Sequence, residues 1–110
     1  MSTEIFERQA FEVFNTTEIN ESLLLSYKQL SFAIRDHCDT LTLNRTSFQR
    51  NLHGTTVSSI PTIYGDDSIY IALRENLLKI FKRDPLIKNY FQLEFADDDM
   101  LIIKTIAQHD

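Results

Sequence analysis

Residues 22–38 read SLLLSYKQLSFAIRDHC. Leu23, Tyr27, Leu30, Ile34 and Cys38 recur at helical spacing, Leu24 and Phe32 widen that face, and Lys28, Arg35 and Asp36 fall toward water. The spacing predicts a helix of roughly four to five turns. With this much leucine it should be the main core helix, and the rest of the chain is placed against it.

Upstream, residues 3–14 form a candidate short helix. Ser2 or Thr3 can cap it, and Glu4 and Glu7 suit its positive end. Phe6, Ala10, Val13 and Phe14 make one apolar face, with Phe11 beside it. The polar run from Asn15 to Glu21 reads as a link.

Downstream, Thr40-Leu41-Thr42-Leu43 alternates polar and apolar, which suits a short strand over 40–43. Asn44 or Thr46 can then cap a two-turn helix over 46–53, with Phe48 and Leu52 inward and Gly54 as its C′ residue. Residues 55–67 are the least regular internal stretch. Pro61 argues against a central strand there. Asp66 or Asp67 can cap a third major helix over 68–82, with Ile69, Leu73, Leu77 and Ile80 inward, broadened by Ala72 and Phe81. Glu75 and Lys79 make an outer pair four apart, and Lys79, Lys82 and Arg83 suit the negative end.

From residue 90 the period changes to two. Phe91, Leu93 and Phe95 alternate with Gln92 and Glu94, and a second apolar run begins at Met100 after Asp97-Asp98-Asp99. The pattern predicts an antiparallel hairpin, strands 90–96 and 100–106. A lone ribbon is marginal, so a third strand is expected. Residues 40–43 are the first choice for it and 55–63 the second. The expected fold class is α+β: one globular domain over 1–110, helical first and closing in a hairpin.

The chain has 110 residues, 43% of them hydrophobic and 25% charged, which is ordinary for one soluble domain. Its net charge of −5 opposes tight non-specific binding to a phosphate backbone. A single cysteine, Cys38, leaves no intramolecular disulfide and suits a reducing compartment. The first residues lack a cationic segment followed by an apolar run, and no stretch approaches membrane-spanning length, so a cytoplasmic protein without membrane contact is expected.

The residues that carry chemistry do not cluster. Gly54 and Gly65 are the only glycines, too few for a dinucleotide or phosphate loop. His37, His53 and His109 are scattered, and one cysteine excludes the common zinc spacings. Cys38 reads as a small buried hydrophobe and His37 as a cation at a helix end. A Cys38–His53 pair would need the fold to unite them. Asp97 to Asp99 reads as a solvated turn before it reads as a divalent-ion site. No catalytic residue, cofactor or metal site is therefore expected, and the chain is not read as an enzyme.

Two binding roles remain. The first is a protein-binding module, for example an inhibitor or immunity-type protein. Glu4, Phe6, Glu7, Phe11, Glu12 and Phe14 would offer a basic partner acids around aromatic anchors. The hairpin edge is a second surface, and Ile102 beside Ile103 makes both sheet faces apolar, so a homodimer is also expected. The alternative is a dimeric winged-helix-like DNA-binding regulator, suggested by the order of elements. Its contact patch would draw on Arg45, Arg50, His53, Arg74, Lys79, Lys82 and Arg83. Charge opposes it, because the wing tip would be three acids and the reading helix would begin with Asp66 and Asp67.

Overall fold

The computed structural model describes residues 21–62, 67–85, 87–97 and 99–106. The helix expected over 3–14 lies outside these residues. The main helix, α1, spans Glu21–Arg35. It stops before Cys38 because His37 takes a left-handed backbone, φ 55°. The Cys38 N–H then reaches back to Ala33 O at 2.9 Å and the His37 N–H to Ile34 O at 3.2 Å. This is the paired 6→1 and 5→2 closure of a Schellman turn, with histidine where glycine is usual. Cys38 and Ala33, which flank the closure, are both buried.

Strand β1 follows as Thr40–Asn44, as its alternation predicts. The next stretch differs from expectation: residues 47–52 are not a helix but strand β2, Ser47–Leu52. Phe48 and Leu52 lie four apart, and four is a multiple of the strand period as well as near the helical one. The residues expected to cap a helix instead close a turn. The Asn44 side-chain oxygen accepts from the N–H groups of Thr46 at 2.9 Å and Ser47 at 2.8 Å. That Asx arrangement folds β2 back on β1. The two strands pair antiparallel, Leu43 opposite Phe48 and Leu41 opposite Arg50.

Residues 55–61 are also a strand, β3. A two-residue turn joins it to β2, with His53 at φ 52° and Gly54 at φ 75°. Two consecutive positive φ values are the signature of a type I′ hairpin. Gly54 thus serves a hairpin rather than a helix end. Pro61 is the last residue of β3, which forms one end of the sheet, so its missing N–H breaks no interior ladder.

Helix α2 spans Ser68–Arg83. Asp67 stands at its N-cap without a side-chain capping bond. Its inner face is Tyr70, Leu73, Asn76, Leu77, Ile80 and Phe81; Ile69 and Ala72 are only partly covered. A turn at Asp84-Pro85 and a short 3-10 segment, Ile87–Asn89, lead to β4, Phe91–Asp97, and β5, Met100–Thr105. This hairpin matches the sequence pattern.

All pairings are antiparallel, in the order β3-β2-β1-β5-β4. The expected third strand, β1, is therefore the middle strand, with Leu41 opposite Ile103 and Leu43 opposite Leu101. Leu41, Leu43, Phe48, Leu101 and Ile103 have no exposed surface and form one core with Leu30, Leu73 and Leu77 from the helices. The opposite face carries Thr42, Gln49, Ser59, Ile102 and Glu94 in one row. The protein is α+β, with two helices and a five-stranded antiparallel sheet among the described residues. The order of helices followed by one closing hairpin is not what is seen, because three strands precede α2.

Candidate interaction surface

Among the described residues, β3 and β4 form the two ends of the sheet. At β3 the ladder shifts register between Arg50 and Asn51, and Pro61 closes the strand. A bulge and a proline both discourage a further strand. At β4 the ladder is regular from Phe91 to Phe95 and shifts only between Phe95 and Asp97. Among the described residues, no strand pairs with the outer side of β4.

Helix α2 leaves this edge partly uncovered. Its Arg74 guanidinium sits 5.5 Å above the Phe95 ring, and Phe81 meets Phe91 with ring centroids 6.3 Å apart. Ile71 and Leu78 share the flank of Arg74 and Phe81 by their spacing of three and four. Phe95 is 52% exposed, Ile71 48% and Ile106 40%. A shallow groove of about 400 Å³, lined by Phe81, Lys88, Phe91, Gln92, Leu93 and Ile106, continues the same strip. Strand edge, helix flank and groove all lie at the β4 end of the sheet and together make up a seam of apolar side chains interrupted by the Arg74 cation. On the helix-free face of the strand, the Glu94 carboxylate pairs with the Lys104 ammonium at 2.6 Å, both side chains half exposed.

The basic residues are divided among different elements. Arg45, in the β1–β2 turn, binds Asp99 at 2.5 Å and also Asp67, and lies 5.5 Å over the Tyr70 ring. Both carboxylates raise its guanidinium pKa above the ordinary arginine value. This cation ties the β1–β2 turn to the start of α2 and the β4–β5 turn. Asp99 is therefore a structural partner rather than a purely solvated acid. Arg50 lies on the helix-facing side of β2, pairs with Asp36, stacks 5.2 Å over Phe32 and is 13% exposed. His53 is exposed in the β2–β3 turn, with its ring nitrogen 3.7 Å from Asp39. Lys79, Lys82 and Arg83 are exposed on α2.

Cys38 is buried against the end of α1, and burial raises its thiol pKa, a shift that Arg50 only partly opposes. A raised thiol is the reverse of what a nucleophilic cysteine needs. Among the described residues, no three His, Cys, Asp or Glu side chains come together to hold a metal ion. No described helix is long and apolar enough to cross a membrane.

Glu4, Phe6, Glu7, Phe11, Glu12 and Phe14 lie outside the described residues. The seam at β4 was legible only in part. The alternation of Phe91, Leu93 and Phe95 marks an apolar strand face, but nothing local marks β4 as the strand left at the end of the sheet. No protein-family model matches the chain, and no curated protein or solved structure matches it at a significant level.

Proposed function

We propose that this chain is a non-catalytic protein-binding module that uses the β4 edge and the adjoining flank of α2 as a contact surface. The observation that carries the proposal is the seam itself: Phe95, Ile71 and Ile106 exposed beside a regular strand edge. Contiguous exposed apolar surface favours another protein over water. A strand edge is completed by another backbone, which supplies alternate donors and acceptors. Phosphate groups supply no such complement. The net charge of −5 and the acids among Phe6, Phe11 and Phe14 suit a basic partner, as for an inhibitor or immunity-type protein.

The DNA-regulator alternative is less well supported, because residues 47–52 are a strand where the winged-helix order has a helix. Arg45 and Arg50 already face carboxylates within the chain.

The test is co-purification of tagged chain from its native host, comparing wild type with Phe95→Glu and with Phe6→Ala/Phe11→Ala. A captured basic protein that either variant releases supports the proposal. Tight, steeply salt-dependent binding to mixed-sequence duplex DNA, unaffected by either variant, overturns it.

A further inference from the structure

We infer that the groove beside β4 is the seat of the chain's own residues 3–14, which brings the acidic aromatic segment and the exposed seam together as one contact surface. The inference deepens the reading of this end of the sheet as a protein contact, and its test needs no partner.

The groove holds about 400 Å³, within the range that seats bulky groups. Phe81, Phe91, Leu93 and Ile106 make its walls apolar, and Lys88 stands among them. Lys82 follows Phe81 directly, and both lysines are exposed. The acids nearby do not answer these cations: Asp84 is buried, and Glu94 pairs with Lys104 on the helix-free face. The chemistry fits an occupant that combines rings with carboxylates. Residues 3–14 carry Phe6, Phe11 and Phe14 among Glu4, Glu7 and Glu12, with Arg8 as the opposing charge.

The same segment of a second copy, or an acidic aromatic peptide of another protein, shares this chemistry. Tethering decides between them. Helix α1 begins at Glu21, six residues before Tyr27, which is about 9 Å along the helix. Tyr27 lies close enough to Arg83 and Asp84 for both charges to act on its phenol. Lys88 and the groove follow directly after that turn. The six residues Asn15–Asn20 span about 20 Å when extended, so the segment reaches the groove. A ligand on so short a link is held at an effective concentration in the millimolar range. A separate chain at micromolar concentration does not compete with it. Phe95 and Ile71 do not line the groove, so they stay open to a partner beside the carboxylates of Glu4, Glu7 and Glu12.

The experiment places a nitroxide label on Gln9→Cys in a full-length Cys38→Ala chain and reads amide signal intensities. The expected result is strong loss at Lys88, Gln92, Leu93 and Ile106 and none at Ser59 in β3. Phe6→Ser/Phe11→Ser restores the intensities. Lys82→Glu/Lys88→Glu restores them too, and adding Glu7→Lys/Glu12→Lys brings the loss back. In the chain that keeps Cys38, the Leu93 and Ile106 methyl shifts follow the same pattern of charge reversal and return. Full intensity around the groove in the labelled chain overturns the inference, as does a loss that survives Phe6→Ser/Phe11→Ser. Loss seen only when labelled chains are mixed with isotope-enriched unlabelled ones assigns the groove to a second copy and also overturns it. Absence of docking with partner capture still sensitive to Phe95→Glu removes the inference and leaves the protein-binding proposal standing. Docking without any captured partner does the reverse.

Discussion

Histidine occupies two backbone positions that ordinarily favour glycine: His37 at φ 55° and His53 at φ 52°. A side chain bearing a Cβ costs about 1–2 kcal/mol in the left-handed region. At His37 nothing in the ring offsets that cost visibly, because the turn is held by the backbone bonds of His37 and Cys38. His37→Gly is expected to stabilise the fold by about 1 kcal/mol, since glycine removes the clash but adds freedom to the unfolded chain. Urea unfolding measures it, and a lower midpoint would contradict the Schellman assignment. His53 is held differently, with its N–H bonded to Asp39 Oδ2 at 2.7 Å. A second residue-scale expectation concerns Tyr27. Burial raises its phenol pKa first, and Asp84 adds to the rise. The folded state thus keeps the proton longer than the unfolded chain. Stability from this group is complete below the unfolded value near 10 and is lost as pH rises from there through the higher folded value. Tyr27→Phe should therefore flatten the decline of stability above about pH 10 without changing its slope near neutrality.

At the scale of the element, β2 shows how a local signal can serve two structures. Phe48 and Leu52 satisfy a helical face and a strand face alike, and Asn44 can cap a helix or close an Asx turn. The decision falls to β1, whose Leu43 pairs with Phe48. Helix α2 was less ambiguous, because Leu73, Leu77, Ile80 and Phe81 follow the helical period over several turns and no strand period accommodates them. Its start is still set from a distance, since the Asp67 carboxylate pairs with Arg45 instead of capping. Phe48 has no exposed surface. Phe48→Ala is expected to cost about 3–5 kcal/mol, whereas Gln49→Ala, on the helix-free face, should change stability by about 0.5 kcal/mol or less. Comparable losses at both sites would mean that the two sides of β2 are assigned wrongly.

For the whole molecule, the position of β1 sets the hierarchy of stability. It is hydrogen-bonded on both sides, to β2 and to β5, while among the described residues β3 pairs only with β2. Amide hydrogen exchange should be slowest in β1 and β5 and fastest in β3. Protection in β3 equal to that in β1 would contradict the strand order.

The amino-acid sequence alone determined what depends on a run of neighbouring residues. The periods of α1 and α2, the alternation in β1 and β4, the apolar run of β5, and the burial of Cys38 all follow from which side chains lie in a short regular segment. Only the tertiary structure decided the strand nature of 47–52, the choice of 55–61 as a further strand, the central place of β1, the engagement of Arg45 with Asp67 and Asp99, and the place of β4 at the end of the sheet among the described residues. The reason is physical. A period of two also satisfies a spacing of four, and the pairing energy that separates them comes from residues far along the chain, such as Ile103 opposite Leu41. Which strand is left at an edge is set by the topology of the whole sheet, and no local pattern encodes it.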